Sequence, residues 1–195
     1  MIEYIKGEIA CLAPARMVME CGGIGYELNI SLHTYSAYNG KQQGMIYVYE
    51  VIREDAHLLY GFASKQEREL FLMLTSVSGV GPNTARTILS SYPPAELVHL
   101  IATTNETALT AVKGIGLKTA QRILVDLKNK VKPAEAEAAV GATATGNANV
   151  AEEAIAALVM LGFQKAASQK AVVSLLKTSP LMPVEQVIKS ALRML

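Results

Sequence analysis

The chain has 195 residues, half of them hydrophobic, with two cysteines, no tryptophan and a formal net charge of +1. That length accommodates one, two or three small domains, and the apolar fraction permits a real core. No run of eighteen apolar residues is present, so no membrane-spanning helix is expected. Met1–Lys6 lacks a basic region followed by an apolar stretch, so no signal peptide is read there, and a cytoplasmic protein is expected. Cys11 and Cys21 stand without a Cys-x-x-Cys pair or a nearby histidine, and are expected to be reduced, buried thiols.

Residues 1–63 read as β. Met17–Cys21, Tyr26–Ile30 and Ile46–Ile52 are rich in β-branched and aromatic residues, and Gly22-Gly23, Asn39-Gly40 and Gly44 punctuate them. About five strands in so short a segment, with few helical signals, point to a small barrel of the OB type. The pattern changes at Ser64, where Ser64-Lys65-Gln66-Glu67 forms a capping box ahead of Leu70, Phe71, Leu74 and Val77 at helical spacing. Helical signals continue through residues 64–132, with Pro93-Pro94 opening a further helix over Ala95–Ala102.

Within this helical stretch one pattern occurs twice, thirty-five residues apart. Leu74, Val77-Ser78-Gly79-Val80-Gly81, Ala85 and Ile88-Leu89 match Leu109, Val112-Lys113-Gly114-Ile115-Gly116, Ala120 and Ile123-Leu124. Each copy reads as a helix, a tight Gly-x-Gly hairpin and a second helix. Glycine permits backbone angles that other residues avoid and lets a ligand come close. The helix that follows at once, with Pro82 at its first position in copy one, turns free N–H groups and its dipole toward the loop mouth. Val80 and Ile115 are expected to point inward and pin the hairpins. A plain helix connection with glycine caps explains one copy; two copies in register favour a phosphate grip. Lys118 and Arg122 lie four apart on one helical face with Lys113 alongside, whereas the first copy offers Asn83 and Thr84, with Arg86 further along. The first hairpin is therefore expected to bind more through backbone N–H than through charge.

Charge is partitioned in the same sense. Residues 1–63 hold four Lys/Arg and seven Asp/Glu, residues 64–132 nine and five, and residues 133–195 five of each. The basic excess falls on the hairpin segment, where a phosphate surface needs it. Arg53-Glu54-Asp55 lies between Tyr47–Ile52 and Leu58–Phe62. An acidic pair at a hairpin tip is ordinarily a polar turn; beside a nucleic-acid grip it can repel phosphates at a chosen point, since unit charges ~4 Å apart interact by ~1 kcal/mol even in water.

Residues 133–149 are Ala-, Gly- and Thr-rich with one large aliphatic, Val140, and read as a flexible linker. Residues 150–195 regain amphipathic pattern in three pieces, Ala151–Leu161, Gln164–Leu176 and Pro183–Leu195, with Leu161-Gly162-Phe163 as a turn. Three helices make a minimal domain, whose core draws on Leu158, Leu161, Phe163, Leu175, Leu176, Ile188 and Leu192. Without basic excess it is a better protein-binding unit than a DNA-binding one. Catalytic patterns are missing: His33, His57 and His99 have no partner motif, no Walker A sequence, metal triad or nucleophile elbow occurs, and Asp126 comes ten residues after Gly116, inside an expected helix. A structure-specific repair nuclease or glycosylase built on the same hairpins is the alternative, and a protein adaptor with structural hairpins a third reading.

These residues together resemble the bacterial RuvA family, which binds Holliday junctions. The resemblance rests on Val51–Ala56 with Leu58–Phe62, on Gln66-Glu67-Arg68 with Leu70-Phe71, on the two hairpins, and on Ala156-Ala157-Leu158 with Leu161-Gly162-Phe163. It implies an α+β chain: an OB barrel, a tandem helix-hairpin-helix domain and a UBA-like C-terminal domain. It further implies a homotetramer, one or two of which hold a four-way junction open in recombination, repair and the SOS response. The DNA-binding positions are then Gly79, Val80, Gly81, Asn83, Thr84, Gly114, Ile115, Gly116, Lys118, Thr119, Arg122 and Arg53, with Glu54 and Asp55 as a central acidic pin. The C-terminal domain, through Leu158, Leu161, Gly162, Phe163, Ile188 and Leu192, would tether the RuvB ATPase; the RuvC resolvase is a further partner. No catalytic residue, metal or cofactor is implied. The family often has lysine at Asn83 and a lysine pair at Leu117-Lys118, so weaker or less salt-sensitive binding is expected here.

Overall fold

Alternating apolar residues in the first sixty positions close into a barrel. The computed structural model describes residues 1–131, 146–180, 182–192 and 194, and among residues 146–149 the backbone alone. Five strands, β1 (Tyr4–Ala13), β2 (Arg16–Cys21), β3 (Ile24–Ile30), β4 (Gln43–Ile52) and β5 (His57–Phe62), close in the order β1-β2-β3-β5-β4, as the OB-type expectation requires. All pairings are antiparallel except β3 with β5. The barrel core is Ile5, Met17, Met19, Leu28, Ile30, Tyr38, Ile46 and Val48.

One element lies outside the sequence expectation. Helix α1 (Leu32–Tyr38) stands between β3 and β4, started by Ser31, whose hydroxyl accepts from the Thr34 amide at 3.0 Å. Its seven residues include Thr34, Tyr35 and Tyr38, whose β preference hides so short a helix. The thiols are also corrected: Cys11 and Cys21 are exposed. Cys11 lies past a register shift in β1, opposite Val18, whose neighbours Met17 and Met19 are among the residues that fill the barrel interior. Cys21 ends β2 beside the Gly22-Gly23 turn, beyond the barrel interior.

Strand β5 is apolar on both faces because it serves two cores. A Cβ on Gly61 would come within 2.6 Å of Ile46 Cδ1 inside the barrel, so a larger residue there would force Ile46 to move. Its neighbours Tyr60 and Phe62 face the helices, with ring centroids 5.1 and 4.9 Å from Phe71. Phe71 belongs to α2 (Lys65–Thr75), followed by α3 (Pro82–Ser91), α4 (Pro94–Ala102), α5 (Glu106–Thr110) and α6 (Leu117–Leu127). These helices and the outer face of β5 share one buried cluster, from Tyr60 to Val131.

The capping box is only half made. Ser64 Oγ accepts from the Glu67 amide at 3.1 Å, as expected. The Glu67 carboxylate, fully buried, turns instead to the barrel: it accepts from the Ser31 hydroxyl, from Thr34 Oγ1 at 2.7 Å and from the Ala63 amide at 3.1 Å. Donors from α1 and from the end of β5 outcompete the reciprocal cap, since a buried carboxylate needs several of them.

The chain divides into two compact units, one with the barrel and hairpin helices, the other with the C-terminal helices. The second unit has α7 (Gly146–Met160), α8 (Lys165–Thr178) and α9 (Val184–Ala191) around Ala154, Leu158, Ala171, Val172, Val187 and Ala191. Helix α7 starts at Gly146, so the last four residues of the expected linker are helical; residues 133–145 of that linker lie outside the described residues. The expected turn is present: Gly162 has φ +97°, and the Phe163 amide donates to Leu158 O at 3.1 Å.

Candidate nucleic-acid interface

The two hairpins are the same object built twice. Gly79 and Gly114 have φ of +89° and +90°, the left-handed region that L-residues avoid. The amides of Val80 and Ile115 each donate back, to Val77 O and Val112 O, at 3.0 Å. Gly81 and Gly116 are the N-caps, with φ of −86° and −82°, and their carbonyls accept the first helical bonds from Ala85 and Ala120. Neither cap is made by a side chain, so the first amides of α3 and α6 have no side-chain acceptor.

Side chains divide as the sequence predicts. Val80 and Ile115 are each 5% exposed and anchor the loops in the helical core, so any contact they make with a ligand is through backbone. The four glycines are exposed, as are Asn83, Lys113, Lys118 and Arg122; Thr84 and Thr119 are half-buried. Leu117, 56% exposed, sits at the first position of α6, where the resemblance leads one to expect a cation.

Three contacts fix these loops and were not legible in the sequence. Tyr60 donates its hydroxyl to Asn83 Oδ1 at 3.3 Å, joining β5 to α3. Burial pushes the Tyr60 hydroxyl up, against the pull of the Arg86 and Arg53 charges, so it remains a donor. Arg86 donates to Ala15 O at 3.2 Å and Asn29 Oδ1 at 3.0 Å, which ties it to the barrel rather than to a ligand. Arg122 donates from Nη1 to Ser78 O at 3.1 Å, from the second copy to the loop of the first.

The acidic tip is a four-residue turn between β4 and β5. Ile52 pairs with His57, and the Arg53 amide donates to Ala56 O at 2.8 Å. Arg53, Glu54 and Asp55 are exposed, and neither acid forms an ion pair among the described residues. The base of the tip is braced by Glu50, whose carboxylate lies 3.2 Å from His57 Nε2. The Ile2 amide first, and His57 second, hold the Glu50 carboxyl below the usual range.

In the second unit Leu158 is fully buried, which corrects its place among partner contacts: it is core. Phe163 and Ile188 are half-buried; Leu161 at 61% and Leu192 at 40% are open. Met160, at 89%, extends the same apolar end of α7 and was not singled out in the sequence. Asp126 is exposed one residue before the end of α6, far along the helix from the hairpin mouth. Among the described residues no group of three or more His, Cys, Asp or Glu side chains is placed to hold a metal, and no helix is long and apolar enough to cross a membrane.

A barrel carrying an acidic tip, fused to twin helix-hairpin-helix loops, is the architecture of a DNA-binding protein. Family models match in the same order: the RuvA N terminal domain over residues 1–61, a SAM-like helix-hairpin-helix tandem over 71–129, and the RuvA C-terminal domain over 149–195. Relatives named Holliday junction branch migration complex subunit RuvA align along their whole length and the whole of this chain, at 74% identity in Parabacteroides distasonis, 63% in Bacteroides fragilis and 57% in Porphyromonas gingivalis. The chain belongs to the RuvA family.

Proposed function

We propose that this protein is a non-catalytic scaffold that binds four-way DNA junctions without regard to sequence. The observation that carries the reading is the pair of matched hairpins, each with an exposed mouth of uncapped helix N–H groups. Such a mouth accepts a phosphate oxygen and ignores the base attached to it. Lys113, Lys118 and Arg122 add charge at the second mouth.

A homotetramer is the assembly that gives the acidic tip its purpose. Four copies would bring eight carboxylates from Glu54 and Asp55 around one axis, where they repel phosphates and keep crossing strands apart. Arms held by their backbones then remain free to slide. The C-terminal unit, through Leu161, Phe163, Ile188 and Leu192 with Met160, would tether an ATPase motor, RuvB, and RuvC would act on the same junction. The names of the full-length relatives, subunits of a Holliday junction branch migration complex, support this reading.

The test is a gel shift across a salt series with a four-way junction, a duplex and a single strand. Retention of the junction at salt that releases the other two is expected; equal retention of junction and duplex overturns the reading. Metal-dependent cleavage of the junction by the purified protein alone would favour the nuclease alternative.

A further inference from the structure

The repeat is not symmetric in charge, and the asymmetry is resolved by one side chain. Shifting the second hairpin back by thirty-five residues sets Lys118 on Asn83 and Arg122 on Thr87. Asn83 is held by Tyr60, and Thr87 turns its hydroxyl back to Asn83 O at 2.9 Å. Arg86, the cation of α3, is tied to the barrel. The first hairpin therefore has no cation of its own at its mouth. Arg122 crosses from α6 and donates to the carbonyl of Ser78, the residue just before Gly79.

We infer that Arg122 is a positioning residue for the first hairpin as well as a phosphate ligand of the second, so that one guanidinium couples the two grips. This rests on the proposed DNA-backbone binding. The Ser78–Gly79 peptide is planar and trans, so holding its carbonyl toward Arg122 fixes the Gly79 N–H on the opposite edge of the peptide. The guanidinium has five N–H donors in a rigid fork; with one Nη1 donor on Ser78 O, the others remain for a phosphate. A phosphate bound at the second hairpin thereby stiffens the first, and the guanidinium itself is the positive charge nearest the first mouth. A lysine ammonium keeps the charge but gathers its donors on one atom, so it cannot fork between a carbonyl and a phosphate.

Arg122→Lys and Arg122→Ala separate charge from coupling in the full-length chain. Junction affinity is measured by fluorescence anisotropy over a salt series, and amide hydrogen exchange is followed at residues 79–81 and 114–116. For R122K the expected result is a loss of about tenfold in affinity at an unchanged salt slope, with faster exchange at 79–81 and unchanged exchange at 114–116. R122A should bind more weakly still and show a salt slope lower by about 0.9 for each phosphate left without its cation. General destabilisation would speed exchange at both loops and overturns the proposal, as does an R122K protein with wild-type affinity and wild-type exchange. If the unaltered protein binds no junction, the proposed function falls and this coupling with it; if it binds and R122K matches it, the coupling alone falls.

Discussion

Replacing Gly81 and Gly79 by alanine, one at a time, separates the grip from the fold. Gly79 at φ +89° cannot become alanine without entering the left-handed region, at about 1–2 kcal/mol. For a unit of this size that lowers Tm by roughly 3–10 °C. Gly81 differs: φ is −86° and ψ 171°, an ordinary extended conformation, and an added Cβ meets nothing within 4 Å. G81A costs the fold at most the difference between glycine and alanine as an N-cap, up to ~1 kcal/mol. Its methyl nevertheless stands at the exposed mouth beside the first free amides of α3, where a phosphate oxygen must come within hydrogen-bond distance. A hydrogen bond to a charged group contributes about 1.5–3 kcal/mol, so excluding the phosphate weakens binding by roughly 10- to 150-fold. G116A at the second mouth is the matched control. Differential scanning fluorimetry and junction anisotropy together check this: G81A should melt within a few degrees of the parent and bind at least tenfold more weakly. A G81A protein that binds like the parent would refute phosphate binding at the first mouth, whatever its Tm.

The neutral double variant Glu54→Gln, Asp55→Asn should bind a junction as tightly or more tightly, and change the rate of branch migration in a reconstituted assay; an unchanged rate counts against the acidic pin. Glu67→Ala leaves the Ser31 and Thr34 hydroxyls and the Ala63 amide without their buried acceptor, and is expected to destabilise the first unit by at least ~2 kcal/mol in a urea melt, with Glu67→Gln in between. Below the ordinary glutamate range, stability should fall with pH. Arg68 holds the Glu3 carboxyl down, Arg16 that of Glu27, and the Ile2 amide that of Glu50, so their contributions are complete above the unfolded value and vanish as pH drops through the lowered ones. Melts from pH 6 to 3 check this, and Arg68→Gln should flatten the curve. Leu161→Ser with Met160→Ser should leave the melt of the C-terminal helices nearly unchanged, because both side chains are exposed, yet weaken capture of the ATPase partner in a pull-down.

Much of the first unit was legible because its signals are local. Strand-forming composition marked β2, β3 and β4, and the doubled Gly-x-Gly marked two turns whose first glycines have φ within a degree of each other. Helix α1 was hidden because Ser31 caps a segment of aromatic and β-branched residues, where preference for strand and the capping signal conflict. The fate of Glu67 was hidden for a different reason. A Ser-x-x-Glu pattern reports that a cap is possible and says nothing about donors thirty residues away, and Thr34 and Ser31 outcompeted the reciprocal bond. Leu158 and Leu161 illustrate the limit for small domains: three residues apart in one apolar run, Leu158 lies within α7 and is fully buried in the three-helix core, while Leu161 lies past the end of the helix and is 61% exposed.

Charge was the signal that needed most correction by geometry. Residues 64–132 carry nine Lys/Arg, which invites counting all of them toward phosphate. The structure withdraws several. Arg68 donates to Glu3 and to carbonyls of Glu3 and Val48. Arg86 is tied to Asn29 and Ala15, and Lys65 lies over the Tyr47 ring at 5.8 Å. These three join helices to barrel, which fixes the height of the acidic tip relative to the hairpins. Of the remaining six, Lys128, Lys130 and Lys132 follow α6 in the sequence, and Lys113, Lys118 and Arg122 lie at the hairpin mouths, all on the second copy. The proposed grip is therefore lopsided, with amides in the first loop and amides plus charge in the second. Counterion release counts only cations that meet phosphate, at ~0.9 in the salt slope for each. The measured slope should therefore track about three cations per bound subunit rather than nine, and Lys118→Gln should lower it while Arg86→Gln, which removes a brace, should lower Tm and leave the slope in place. A slope that falls equally for both would mean that Arg86 leaves the barrel when DNA arrives.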